Sequence, residues 1–141
     1  MTIRPARALL LTLAATASVA GCGGESDSDQ IKGLVREYVD AFAAKDGGKV
    51  CSLLTPAAQS RVQASAGLLR GKDCAATITA VAKLPSGPAA PYIRKFHAGK
   101  IVVDGNEAGV QIVPTTEGAK PTRLVKVNGK WLFDGSVATV N

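Results

Sequence analysis

Three cysteines, Cys22, Cys51 and Cys74, and a single histidine, His97, are the side chains of this 141-residue chain with the widest chemical repertoire. A thiol can be acylated, oxidised to a disulfide or used as a metal ligand; an imidazole can exchange protons near neutral pH. Spacing narrows those options. One His and three Cys do not make a conventional multi-ligand zinc site, and Cys51 and Cys74 lack the CxxC spacing of a redox dithiol or a metal knuckle. The chain contains no GxSxG, P-loop, GxGxxG, HExxH or EF-hand loop. Glu25, Asp27 and Asp29 alternate with small polar residues and read as solvation. Asp40 falls on the polar side of a helix, and Asp134 is matched by Arg123 across a hairpin. Any acid–base role would therefore fall to His97 alone. No catalytic, cofactor-binding or metal residue is assigned, and the chain reads as a non-enzyme.

The surroundings of Cys22 give it a different task. Arg4 and Arg7 form a basic start, Ala8–Val19 is uncharged and mainly apolar, and small residues follow, which is the layout of a secretory signal peptide. The uncharged run ends at Gly24 after about 17 residues, short for a permanent membrane span. Val19-Ala20-Gly21-Cys22 resembles the bacterial lipoprotein box, in which an aliphatic and two small residues precede a lipidated Cys. The resemblance implies cleavage between Gly21 and Cys22 and attachment of diacylglycerol to the Cys22 sulfur. It places the domain on the extracytoplasmic face of the cell membrane, where two or three acyl chains at ~0.8 kcal/mol per buried CH₂ hold it essentially permanently.

Processing would remove residues 1–21 with Arg4 and Arg7, leave 120 residues, and lower the formal charge from +6 to +4. Residues 22–28 read as a tether and 29–141 as one domain. Export also decides what the remaining thiols do. In an oxidising compartment Cys51 and Cys74 form an even pair on the inward sides of two helices. Closing their loop of about 24 residues contributes roughly 3 kcal/mol in the chain-entropy model, although two buried thiols remain the competing reading.

The elements that position these residues come as helices first and strands after. Ile31, Leu34, Val35, Tyr38, Val39 and Phe42 share one helical face opposite Lys32, Arg36, Glu37 and Asp40, with Ser28 or Asp29 at the start and Asp46-Gly47-Gly48 as the stop. A short helix carries Val50, Leu53 and Leu54, Thr55-Pro56 opens another that ends near Gly67, and Lys72-Asp73 opens one with Cys74, Ile78, Val81 and Ala82 inward. Leu84–Pro91 reads as a loop. From Ile93 the apolar period becomes two, with hairpin turns at Asp104-Gly105-Asn106 and Asn128-Gly129. An unbroken register from Ile93 would put His97 inward with Ile101 and Val103; otherwise it is a partly exposed strand-end residue beside Lys95 and Phe96. In the second hairpin Val127 faces Lys130, Val125 faces Leu132 and Arg123 faces Asp134, while Leu124, Trp131 and Phe133 form the other side. Both sides are apolar, so one meets the helices and the other needs a loop, the bilayer surface or a second copy of the chain.

This order gives an α+β fold. The stretch Ile31–Phe42 with Ala43-Ala44-Lys45-Asp46-Gly47, then Val50–Pro56, and finally Val127–Gly135 resembles the nuclear-transport-factor-2-like (SnoaL-like) family in its actinobacterial lipoprotein branch. That resemblance implies a cone-shaped curved sheet around the first helix, with Tyr38, Phe42 and His97 as candidate pocket residues. Some members of that superfamily are enzymes that move protons on a carbon acid, and an isomerase or dehydratase using His97 is one alternative.

Charge and composition prune the rest. Only 4% of the chain is aromatic, too little for a base-stacking nucleic-acid reader, and the basic residues are dispersed among acids. The expected function is a lipid-anchored envelope domain that binds a partner protein or a small apolar ligand. An accessory subunit of a membrane transport or secretion assembly is the other alternative.

Overall fold

The computed structural model describes residues 24–84 and 91–139. Cys22, its cleavage site, and most of the expected loop lie outside the described residues. Four helices precede four strands: α1 (Asp27–Ala43), α2 (Gly47–Ser52), α3 (Pro56–Ser65), α4 (Cys74–Ala82), then β1 (His97–Asp104), β2 (Glu107–Val113), β3 (Thr122–Val127) and β4 (Lys130–Val137). The strands form an antiparallel meander in chain order. The architecture is α+β, and no described helix is long and apolar enough to cross a membrane.

Helix α1 forms where its apolar face demands, with Ile31, Leu34, Val35, Val39 and Phe42 buried. Its start differs from the expected Ser28 or Asp29. Ser26 is the N-cap, accepting from the Asp29 N–H at 3.2 Å and donating to the Asp29 carboxylate at 2.7 Å. This reciprocal pairing, with acids Asp27 and Asp29 beside the positive end of the helix dipole, outcompetes a later start. The chain is thus helical within the stretch read as tether. At the other end Lys45 takes a left-handed conformation (φ 61°), and Asp46 caps α2 by accepting from the Lys49 N–H at 2.9 Å.

Gly47 sets the contact between α2 and α4. A Cβ there would stand 2.1 Å from the Ala75 carbonyl oxygen and 2.5 Å from Thr79 Oγ1. That close approach brings the Cys51 and Cys74 Cα atoms to 6.1 Å, and the two residues form a disulfide. Thr55 and Asp73 cap α3 and α4 as expected, by accepting from the N–H groups of Ala58 and Ala76. Thr77, fully buried, is satisfied by donating to the Asp73 carbonyl and accepting from the Gly71 N–H.

In the sheet, Val127 pairs with Lys130, Val125 with Leu132, and Leu124 with Phe133. Ala108, Val110, Leu124, Trp131 and Phe133 face the helices and are buried. The other side of the hairpin stays partly open, with Val125 and Leu132 half-buried and Val127 exposed. The free edge of β4 is covered by the chain after α2: the Thr55 N–H donates to the Phe133 carbonyl, and the Phe133 N–H to that of Leu53, each at 2.9 Å. This pairing removes an open edge that the sequence did not disclose.

Beyond Phe133 the register slips, so that Thr122 faces Val137. Gly135 (φ 72°) takes the left-handed conformation in that bulge. A second departure lies at the start of β1. Residues Ile93–Lys95 form a 3₁₀ turn, and the register shifts again between Ala98 and Ile101. An unbroken strand from Ile93 does not form, and His97 takes the exposed strand-end position, the other of its two sequence readings.

Candidate functional site

The bulge at Gly135 and the C-terminal half of α1 define a cleft. Gly135 stands beside α3, where a Cβ on it would make an ordinary contact with the Ala58 Cβ at 3.4 Å. Between α1, α3 and the sheet a cavity of about 540 Å³ remains, within the range of about 300–1,000 Å³ typical of small-molecule sites. Its walls are Val35, Tyr38 and Val39 from α1, Leu54, Ala58 and Val62 from the α2–α3 region, and Ile93, Phe96, Ile112 and Phe133 from the sheet side. Arg61, Ser65 and Thr122 supply its polar atoms.

Tyr38 is the titratable group embedded in this wall. Its ring packs on Phe133 edge-on at 5.1 Å between centroids and stacks on Phe42 at 6.3 Å. Burial pushes the phenol pKa above its ordinary value, so the hydroxyl stays protonated at any physiological pH. It can donate a hydrogen bond to a ligand but does not serve as a base. Phe42 is buried behind Tyr38 and supports it without lining the cleft.

A polar cluster closes the end of the cleft at Arg61. Asp134 lies 3.5 Å from the Arg61 guanidinium, which also donates to the Asp134 carbonyl. The same carboxylate accepts from Ser136 at 2.5 Å and from Arg123 at 3.1 Å, and Arg123 reaches Glu107 at 2.9 Å. The Arg123–Asp134 ion pair expected from the hairpin forms, although the backbone register shifts between Thr122 and Leu124. Arg123 and Thr139 hold Glu107 well below the usual carboxylate range, at about 2, while Ser136 and then Arg123 lower Asp134 against the opposing effect of burial. These carboxylates remain ionised and paired. They are structural anchors, poorly suited to accept a substrate proton.

His97 stands elsewhere. It is exposed at the first position of β1, with Nδ1 3.0 Å from the Lys95 carbonyl. It borders a smaller depression of about 340 Å³ shared with Lys32, Arg36, Asp40 and Arg94. Asp40 there pairs with Arg94 at 3.6 Å, both largely exposed. The sequence reading found no second ionisable group for His97, and the structure brings Asp40 into its depression. Solvent screens both groups, and neither belongs to the apolar cleft.

No family model, curated protein or solved structure matches this chain. The function must be argued from the site itself.

Two further observations bound that argument. Among the described residues no group of three or more His, Cys, Asp or Glu side chains converges as a metal site would require. A broader groove of about 890 Å³ runs between α1 and the start of β4, but charged side chains rim it, with Glu37 and Lys49 paired across it. The cleft at Tyr38 is therefore the better apolar site. Most of its lining was not legible in the sequence. The walls contributed by Ala58 and Val62 come from α3, whose small, mixed side chains show little amphipathic pattern. Arg61 meets Asp134 only through a separation of 73 residues.

Proposed function

We propose that this chain is a lipid-anchored, extracytoplasmic domain of nuclear-transport-factor-2-like type that holds a small, mainly apolar ligand in the cleft between α1, α3 and the sheet. Lipidation at Cys22, after cleavage from Gly21, would confine it to the cell membrane. The observation that carries the binding reading is the cleft itself. Ten of its fourteen lining residues are aliphatic or aromatic, Arg61 is the one ionised side chain among them, and it is already matched by Asp134. Such a site favours burial of apolar surface, worth about 25 cal/mol per Å², with Tyr38, Ser65 and Thr122 available to orient a polar end. The site lacks a group poised to move protons: Tyr38 is held protonated, and His97 is outside it.

Titration with the apolar fluorophore nile red tests this. The native domain is expected to enhance its emission saturably, and Val62→Trp, which fills the cleft, to abolish the enhancement while the domain stays folded by circular dichroism. Equal enhancement by the two proteins would show that the dye binds outside the cleft and would remove the support for this site.

A partner-binding reading draws on a different surface. Val125 and Leu132, half-buried, and exposed Val127 form an apolar strip on the side of the hairpin facing away from the helices. An accessory subunit of an envelope assembly, or a homodimer through the sheet, would cover that strip.

A further inference from the structure

The first turn of α1 is fastened to the far end of the chain. Asp27 Oδ1 accepts from Lys126 Nζ at 2.6 Å and from the Trp131 indole N–H at 2.9 Å, and the Lys126 ammonium lies 5.5 Å from the centre of the Trp131 ring. The Gln30 amide also donates to the Glu25 carbonyl at 2.9 Å. Helix termini ordinarily fray, but this one is held to the β3–β4 hairpin. The same end of the sheet carries the other hairpin tip, since the Lys126 N–H donates to the Asn106 carbonyl at 2.8 Å. The α1 start and both tips, Gly105-Asn106 and Asn128-Gly129, thus form one end of the domain.

We infer that this end rests on the bilayer surface and that the cleft is held away from it. The inference rests on lipidation of Cys22. Three residues, and so four chain steps, separate Cys22 from the Ser26 cap, a span of at most about 14 Å at ~3.6 Å per step. A domain of this size is roughly 30 Å across, given a radius of gyration of about 13 Å. So short a tether cannot carry the opposite end of the domain to the membrane. The Asp27 clamp keeps it short, because unwinding the first turn would lengthen it. The tip residues Gly105, Asn106, Asn128, Gly129 and Lys130 are small, polar or basic, which suits headgroup contact over insertion among acyl chains. The sheet-side wall of the cleft, at Ile112, Thr122 and Gly135, sits at the other ends of the strands. Thr122 alone is five residues from Val127, about 17 Å at ~3.3 Å per residue. A ligand therefore enters and leaves from the aqueous side of the envelope, where a soluble donor or acceptor must meet it.

The test uses the processed, lipidated chain in nanodiscs that contain a gadolinium-chelating lipid, with broadening of backbone amide signals as the readout. Mass spectrometry first establishes whether Cys22 carries lipid; an unmodified Cys22 removes the anchor on which the inference rests and so overturns it at that step. With the lipid in place, amides of Asn106, Asn128 and Gly129 are expected to broaden several-fold more than those of Ser65, Gly135 and Val137. Inserting about 20 Gly and Ser residues between Gly23 and Gly24 is expected to erase that difference, as a flexible chain of that length exceeds the domain radius. Equal broadening at both ends of the domain with the native tether would overturn the inference while leaving the anchor intact.

Discussion

Trp131 donates its indole N–H to Asp27 across 104 residues of sequence, joining the first turn of the first helix to the start of the last strand. Lys126 binds the same carboxylate oxygen, and the two donors, Lys126 foremost, lower the Asp27 pKa. Asp27→Ala removes the acceptor shared by Lys126 and the Trp131 N–H, whereas Asp27→Asn keeps a neutral one. Thermal melts followed by the fluorescence of Trp131, the single tryptophan, are expected to rank wild type above Asp27→Asn above Asp27→Ala. Asp40→Ala, which removes only an exposed ion pair with Arg94, is expected to fall close to wild type.

The Cys51–Cys74 bridge joins α2 to α4 across a sequence separation of 23. Replacing both with Ala is expected to destabilise the domain by about 3 kcal/mol through the freed unfolded chain. Urea denaturation with and without a reductant checks this: reductant should shift the wild-type midpoint and leave that of the double variant unchanged.

Gly47 and Gly48 make a matched comparison. Gly47→Ala drives a methyl group into the Ala75 carbonyl, and overpacking of this kind costs about 1–3 kcal/mol. Gly48→Ala meets nothing nearer than 3.5 Å and exchanges a poor helix former for a good one, a gain of up to ~1 kcal/mol. Chemical denaturation of the two single variants should move in opposite directions.

Glu107, Asp134 and Asp27 all have folded pKa values below those of the unfolded chain. Their contribution to stability is therefore complete above about pH 4.5, near the ordinary carboxylate values, and is lost as pH falls toward about 2, where Glu107 protonates. The unfolding free energy is expected to be flat from neutral pH to about pH 5 and to decline below it. Arg123→Met, which removes the partner of both Glu107 and Asp134, should shallow that decline.

What was legible in the sequence follows the range of the interactions involved. The buried face of α1 and the pairing of Val125 with Leu132 depend on period and on the Asn128-Gly129 turn, which are local. The meeting of the Arg123 and Asp134 side chains follows from that same hairpin, even though the backbone register shifts beside them. The Ser26 cap was passed over because Ser28 and Asp29 offer similar oxygens, and only the reciprocal bond to Asp29 separates them. His97 at an exposed strand end beside Lys95 is one of its two sequence readings, and the turn at Ile93–Lys95, which resets the strand alternation, decides against the inward one. Asp27 with Trp131, and Ala58 with Gly135, are meetings set by tertiary packing, and no local pattern announces them.

The most direct test of the account is native mass spectrometry of the protein released intact from the membranes of cells that make it. The account predicts a chain beginning at Cys22, carrying diacylglycerol on that residue, with an additional small apolar molecule present in wild type and absent from Val62→Trp. A chain retaining residues 1–21 without lipid, or a lipidated chain that is identical and ligand-free in wild type and Val62→Trp, would contradict it.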